Sequence, residues 1–430
     1  MLKTELDVSL LDLTLTISNA IDLISPVLNN HHKQVAYIAY NIGKELELSN
    51  KNCNELLIAS LLHDIGCLNL GDRISALQFE NENAYQHAVT GYFLLKDVEE
   101  LESVGKIIKY HHLYWMNGAG RYYKGEPVPI ESHIIHLADR ISVSILQQNE
   151  IIAQVDRISK VIEKSRNTMF HPELIDIFNK LKAKESFWFD IISPSIDRKF
   201  KKMWGDCGQQ LDLEKLDQIT KIFARIIDFR STFTSIHSSG VAAIAEALAK
   251  KLNWSEEGCK KIKIAGYLHD LGKLAISNEI LEKPSRLTVE EYNTIKSHTY
   301  HGYYLLEEIN GLQEINTYAS YHHERLDGTG YPFHIGEDAL GEGARIMAVA
   351  DVFTAITEDR PYRKGMLPYR VIEVLENMAK SFALDEKIVE IIKIHFEEMS
   401  TIRAAAQKQA YIAYKDFSEA VARAGGKYYE

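Results

Sequence analysis

The sequence predicts an all-α protein built from two related helical domains in tandem. Two observations carry this: landmarks that recur in one order in both halves of the 430-residue chain, and apolar periods near 3.6 between them. The first landmark is the pair of segments 21–39 and 227–245. Each opens Ile-Asp, has a Ser three residues after the Asp and a His six further on, and continues Val-Ala-x-Ile-Ala. Thirty-two residues after His31 stands His63-Asp64 in LLHDIG, and thirty-two after His237 stands His269-Asp270 in YLHDLG. Next comes a His four residues before a Gly, His87 with Gly91 and His298 with Gly302. A Tyr-His-His follows, with His111 and His322 each 24 residues beyond that His, and an Ala-Asp closes the series at Asp139 and Asp351. Five landmarks in one order at nearly equal spacings identify a tandem duplication.

The segments between the landmarks read as helices. VAAIAEALAKKL places apolar residues at i, i+3, i+4 and i+7 with charges opposite, the pattern of an amphipathic helix. TVEEYNTIKSHTYHGYYLLEEI opens with Thr288 and Glu291 in a capping-box pattern and keeps the same period. HIGEDALGEGARI reads as a loop leading into another helix, and period-2 runs are few and short. The halves are expected to meet at about 185–217, where SPS and WGDCGQQ interrupt the helical period. The expected domains are 1–190 and 218–430, with 191–217 as the linker region.

The balance of charge narrows the function. A net charge of −11 argues against a general nucleic-acid coat, because binding a phosphate backbone needs a basic surface. It leaves room for a small phosphorylated ligand held by a few local cations. The chain opens on an acidic, amphipathic stretch and is expected to carry no secretory leader. No window approaches the ~18 apolar residues of a membrane span, so no membrane partner is expected. Cys53, Cys67, Cys207 and Cys259 are scattered without a CxxC pair, which indicates neither a zinc ribbon nor a disulfide framework and fits a cytoplasmic location.

Each half offers several imidazoles and two carboxylates on elements separated by helix-length intervals. A His/Asp set without cysteine suits iron, manganese or zinc, and not calcium. An adjacent His-Asp can place its carboxylate between two ions while the imidazole binds one of them. Such a pair of ions generates a hydroxide nucleophile at neutral pH and clamps a phosphoryl group, so the expected reaction is hydrolysis of a phosphoester. Taken singly, each piece has a plainer reading: a helix-surface hydrogen bond, a packing histidine, a cap. The ordered set, seen twice, favours the metal. His32, His133, His136, His301 and His334 lie outside the shared set and read as ordinary packing or surface histidines.

The C-terminal half resembles a known family. His237, His269-Asp270, His298, His322-His323 and Asp351 form the pattern of the HD superfamily of phosphohydrolases. HDLGKL, HHERLDGTGYP and ADVFTAITEDRPYR are similar to the HD-GYP subfamily over about 220–390. Its members are bacterial hydrolases of cyclic dinucleotides, with a bi- or trinuclear iron or manganese site in a helical fold. The resemblance implies tandem HD-type helical bundles. It implies metal ligation by His237, His269, Asp270, His298, His322, His323 and Asp351, with Asp270 bridging and catalytic. Lys273, one turn past Asp270, would neutralise the phosphate or stabilise its developing charge. Tyr331 would line the nucleotide pocket, Gly328 and Gly330 would let that loop fold tightly, and Arg360 and Arg363 would contact phosphate.

Three departures modify that expectation. Trinuclear relatives place a Glu four residues before the first ligand, where this chain has Phe233, so two ions, iron or manganese, are expected rather than three. Thr354 stands where the family usually has Asp, which bears on the hydrogen bonds around Asp351. Thr299 replaces the usual Pro after His298. The N-terminal half keeps a complete second set of candidate ligands: His31, His63, Asp64, His87, His111, His112 and Asp139. It lacks the substrate machinery, with Cys67 in place of the lysine, Leu113 in place of Glu324, and no DRPYR after Asp139.

The expected function is therefore metal-dependent hydrolysis of a cyclic dinucleotide, cyclic di-GMP or 3′,3′-cyclic GMP-AMP, to a linear dinucleotide by metal-hydroxide attack in the C-terminal half. The N-terminal half is expected to be a regulatory or dimerising HD domain able to hold metal; a second phosphohydrolase is the alternative there. For the whole chain, the rivals are a catalytically silent receptor for the same ligand and another HD-type nucleotide phosphohydrolase. A homodimer through helix pairing would be unsurprising.

Overall fold

The computed structural model describes residues 8–23, 30–67, 84–146, 148–205, 210–229, 236–281, 283, 285–359 and 364–424. Helices dominate them. In the first half these are α1 Leu10–Asp22, α2 His31–Glu45, α3 Asn50–Leu62, α4 Ala84–Leu95, α5 Glu102–Lys109, α6 Ile130–Val143, α7 Val155–Lys164, α8 Pro172–Leu181, α9 Glu185–Ile191 and α10 Ile196–Trp204. In the second half they are α11 Leu213–Phe229, α12 His237–Lys251, α13 Glu256–Leu268, α14 Asn278–Leu281, α15 Val289–Glu307, α16 Gln313–Ser320, α17 Glu342–Thr357, α18 Pro368–Lys380, α19 Glu386–Ile394 and α20 Phe396–Ala424. Extended structure among the described residues is limited to an isolated bridge between Arg166 and Phe170 and to two-residue strands: β1 Val8–Ser9 pairs antiparallel with β4 Gln210–Leu211, and β2 Tyr122–Tyr123 with β3 Glu126–Pro127. The all-α expectation holds. No helix of the described residues is long and apolar enough to cross a membrane.

Two compact units divide the chain. One comprises Met1–Asp12 with Gln210–Asp416, the other Leu13–Gln209 with Phe417–Glu430. The stretch 191–217 holds a helix of its own, α10, whose Ile196, Phe200 and Trp204 are buried.

The helices begin where local chemistry starts them. Ser49 Oγ accepts the Asn52 amide at 3.1 Å ahead of α3, and Ser255 Oγ accepts the Gly258 amide at 3.1 Å ahead of α13. The capping box forms as read: Thr288 Oγ1 accepts from the Glu291 amide at 3.2 Å, and Glu291 Oε2 accepts from the Thr288 amide at 2.7 Å. Within the unit containing the first set of histidines, α2 packs on α3 and α6, and Ile38, Ile42, Leu57, Leu61, Ile134 and Ile141 on these helices are buried. Within the other unit, α12 packs on α13 and α17, and Val241, Ile244, Ile262, Ala265, Met347 and Ala350 on these helices are buried. Each three-helix core carries its candidate ligands at the same places on its helices.

Candidate metal centres

The repeat distributes its polar landmarks over matching helices and turns of the two halves. His31 and His237 are the first residues of α2 and α12, and His63 and His269 cap the C-termini of α3 and α13. His87 and His298 lie within α4 and α15, and Asp139 and Asp351 within α6 and α17. The His111-His112 and His322-His323 pairs occupy the turns that follow α5 and α16. The glycine after each His-Asp is dictated by a close approach. A Cβ at Gly272 would stand 1.8 Å from the His298 carbonyl oxygen, and one at Gly66 2.0 Å from that of His87. These bare positions let the His-Asp turn press against the helix that supplies the next histidine.

In the C-terminal half three rings are oriented alike. Nδ1 of His269 donates to the Gly266 carbonyl at 2.8 Å, that of His298 to Ile295 at 2.7 Å, and that of His322 to Ala319 at 2.6 Å. A carbonyl only accepts, so the proton of each neutral ring sits on Nδ1 and the Nε2 lone pair points inward. Burial pulls His298 down to about 3 and His322 well below the usual imidazole range, which keeps those two rings neutral. Yet Nε2 of His298 and Nε2 of His322 face each other at 3.4 Å with no proton between them. His269 Nε2 is buried and makes no hydrogen bond.

Asp270 stands among these nitrogens, with Oδ2 3.3 Å from His269 Nε2 and Oδ1 3.5 Å from His298 Nε2. Burial opposes its charge, but His269 and Lys273 hold the carboxyl well below the usual range. His323 completes a group with His298 and His322, and His237 completes one with His269 and Asp270; within each group the ligand atoms lie within 4.8 Å of one another. Asp351 joins through His237, its Oδ1 3.1 Å from Nε2.

The donor set fits a metal. Opposed lone pairs and buried, unpaired nitrogens are costly without a cation between them, and the mixed imidazole and carboxylate chemistry suits transition ions.

Of the residues expected to face substrate, Lys273 and Tyr331 lie beside this cluster. Lys273 Nζ donates to Asp270 Oδ2 at 2.6 Å, and the Tyr331 ring packs 4.9 Å from His323. The Gly330 backbone runs so close to Glu324 and Arg325 that a Cβ there would stand 2.5 Å from the Arg325 nitrogen, and Gly328 takes φ +72°. Glu324 was singled out in the sequence only by its absence from the first half. It is 2% exposed, and its carboxylate accepts the amides of Phe333 at 2.7 Å and Ile335 at 3.0 Å, clamping the loop. Arg360, Arg363 and Phe233 lie outside the described residues. Thr354 is buried with its hydroxyl making no hydrogen bond, and Thr299 is buried, its hydroxyl donating to the Lys296 carbonyl at 3.0 Å.

The N-terminal cluster repeats the arrangement. His63 Nδ1 donates to the Ser60 carbonyl at 2.8 Å and His111 Nδ1 to that of Ile108 at 2.7 Å. His87 Nε2 lies 3.0 Å from His112 Nε2, 3.3 Å from His111 Nε2 and 3.2 Å from Asp64 Oδ1. His31 Nε2 is 3.4 Å from Asp139 Oδ1 and 4.0 Å from Asp64 Oδ2. Asp64 thus belongs to two groups with metal-ligand spacing, one with His87, His111 and His112, the other with His31 and His63.

The surroundings differ. Arg140, fully buried, pairs with Asp139 at 2.6 Å. Leu113, at the place of Glu324, packs into an apolar cluster with Tyr85, Val89 and Tyr110, and Cys67, at the place of Lys273, is buried. His32 and His136, read as packing histidines, are buried beside this cluster, with rings 5.4 Å from His63 and 5.6 Å from His112 respectively.

Two supporting carboxylates were legible only as part of the repeated Ile-Asp. Ser238 Oγ donates to Asp228 at 2.9 Å, and His32 Nδ1 lies 3.3 Å from Asp22; in each half the residue after the first histidine is held by this Asp. Burial pushes the Asp228 carboxyl up to about 7. Glu358, inside the quoted ADVFTAITEDRPYR string, was assigned no role by the sequence, yet its Oε2 lies 3.2 Å from His237 Nδ1.

A helical bundle folded around a buried His/Asp cluster that could hold metal is a defined class of helical domain, and this chain holds two such clusters. HD-domain family models match residues 29–144 and 221–388. The 3′3′-cGAMP-specific phosphodiesterase 1 of Vibrio cholerae serotype O1 is 30% identical over 404 residues, 90% of this chain and 92% of that protein. The 3′3′-cGAMP-specific phosphodiesterase 3 of the same organism is 25% identical over 419 residues, 85% of this chain and 90% of that one. Cyclic di-GMP phosphodiesterase PA4108 of Pseudomonas aeruginosa is 38% identical over 149 residues, 34% of this chain and 35% of that protein. A crystal structure of the cyclic GMP-AMP specific phosphodiesterases of V. cholerae shares the fold, with a TM-score of 0.62 and 24% identity over 93% of this chain and 98% of that one. The chain belongs to the HD-GYP family of HD-domain proteins, with two HD domains in tandem.

Proposed function

We propose that the C-terminal half hydrolyses a cyclic dinucleotide, taking 3′,3′-cyclic GMP-AMP ahead of cyclic di-GMP. The observation that carries the reaction is the set of opposed, unprotonated Nε2 atoms around Asp270, with Lys273 docked on the same carboxylate and the Tyr331 loop beside it. The substrate preference is supported by the relatives that align with both halves of this chain, which carry names for 3′3′-cGAMP, whereas the aligned part of the cyclic di-GMP relative covers about a third.

His237, His269, Asp270, His298, His322, His323 and Asp351 would hold two ions, iron or manganese, with Asp270 shared between them. When bound, such ions supply Lewis acidity toward phosphoryl oxygens and lower the pKa of water. The chain's own groups do the rest. Lys273 offers its ammonium to a non-bridging phosphate oxygen, and the Asp270 contact fixes where that charge sits. Tyr331, packed on His323 at the edge of the cluster, would meet a base of the ligand, while Glu324 keeps the loop in place. Arg360 and Arg363 remain part of this proposal as phosphate contacts. The N-terminal half, with Leu113 and Cys67 where Glu324 and Lys273 stand in the other, is assigned a regulatory or dimerising role with a metal of its own.

The test is product analysis after incubating manganese- or iron-loaded protein with each cyclic dinucleotide, beside a Lys273→Ala variant. Linear product from 3′,3′-cyclic GMP-AMP, formed faster than from cyclic di-GMP and lost or strongly reduced in the variant, is the expected result. No product from either, with metal bound, would replace the enzyme reading by that of a silent receptor.

A further inference from the structure

The two halves orient their first histidine by different means. In the N-terminal half His31 Nδ1 meets the Ser142 hydroxyl at 3.1 Å, and that hydroxyl donates onward to Gln34 Oε1 at 2.8 Å. Ser142 lies three residues after Asp139, and Gln34 three after His31. Counting likewise from Asp351 and His237 gives Thr354 and Gly240. Neither reproduces the contact, since the Thr354 hydroxyl makes no hydrogen bond and Gly240 has no side chain.

The vacated space is filled from elsewhere in the fold. Glu358, one helical turn past Thr354 and 2% exposed, brings Oε2 to 3.2 Å from His237 Nδ1. Gln407, from α20, donates Nε2 to that same oxygen at 3.0 Å and is 5% exposed. A Cβ at position 240 would lie 3.0 Å from Gln407 Nε2 and 2.9 Å from Thr354 Cγ2, so the bare glycine is what admits the glutamine. Arg403, one turn earlier on α20, in turn donates to Gln407 Oε1.

We infer that Glu358 is the positioning carboxylate for His237, held by Gln407, so that the last long helix of the chain sets the orientation of the first metal-ligand histidine. This rests on the reading that the C-terminal set holds metal. A carboxylate on the outer nitrogen fixes the ring and strengthens the inner nitrogen as a donor, and removing such a partner typically costs about 10–100-fold in metal affinity.

The experiment measures manganese affinity by competition with a chelating dye, using the full chain in a His63→Ala/Asp64→Ala background so that the C-terminal half reports alone. Glu358→Ala should weaken binding about 10–100-fold. Glu358→Gln, which keeps the shape, should weaken it in the same direction, and so should Gln407→Leu, by less. Because position 354 corresponds to the residue that touches His31, the Thr354→Asp/Glu358→Ala double variant should recover most of the affinity. Circular dichroism and melting temperature are recorded for each variant. A folded Glu358→Gln that binds manganese as the background protein does would overturn the inference, as would a folded double variant no better than Glu358→Ala. Failure of the background protein itself to bind would instead remove the reading beneath it, and the inference with it.

Discussion

Glu324 offers the sharpest test of how the substrate loop is held. Its carboxylate accepts two backbone amides, from Phe333 and Ile335, in a site where it is 2% exposed. Hydrogen bonds to a charged acceptor contribute about 1.5–3 kcal/mol each, so two set an upper bound of about 3–6 kcal/mol on what Glu324→Ala removes. Loop backbone set free can turn to water and recover part of this. A net loss of about 2–3 kcal/mol in local opening energy follows, which is roughly 30- to 150-fold in amide exchange at 1.4 kcal/mol per tenfold. Native-state hydrogen exchange reads it directly: the amides of 333 and 335 should lose protection by that factor, while amides of α12 and α13 keep theirs. Tyr331 sits in the same loop and donates its amide to the His323 carbonyl at 3.1 Å, so KM for the dinucleotide should rise more than kcat falls. Unchanged exchange at 333 and 335 would refute the view that the carboxylate clamps the loop.

Three further outcomes follow from the geometry. Stripping metal with a chelator should lower the melting temperature, and adding manganese at 100-fold over its dissociation constant should restore about 2.7 kcal/mol, seen by calorimetry as a shift of several degrees; identical transitions would contradict the fit of the buried nitrogens to a cation. Gly272→Ala forces a methyl to 1.8 Å from the His298 carbonyl oxygen, and should cost at least about 1–3 kcal/mol in denaturant unfolding together with weaker metal binding. Arg140→Met strands the buried carboxylate of Asp139 and should destabilise the chain by about 3–5 kcal/mol, measured in the same way.

The sequence was most legible where one physical constraint had been imposed twice. The His-Asp turns, the Tyr-His-His turns and the closing Asp recur because each half folds the same three-helix core around the same donors, so spacing alone brought distant histidines together. The capping box at Thr288 was equally plain, since both partners lie within one turn. What escaped is what the halves do differently. Glu358 and Gln407 approach His237 from residues far along the chain, without a counterpart in the first half to mark them. The reach of Glu324 to Phe333 and Ile335 depends on how the loop closes, which residue spacing does not encode. The β1–β4 pair joins residues two hundred positions apart in strands too short to show a period.

The central claim is that chemistry belongs to the C-terminal cluster and not to its N-terminal copy. The most direct measurement is turnover of 3′,3′-cyclic GMP-AMP by metal-loaded protein carrying Asp270→Ala, compared with Asp64→Ala, each with its metal content determined. Asp64→Ala should retain linear-product formation and Asp270→Ala should lose it by about a hundred- to a thousandfold, the scale on which electrostatic catalytic groups act. Activity that survives Asp270→Ala and disappears with Asp64→Ala would place the reaction in the other half and contradict the account.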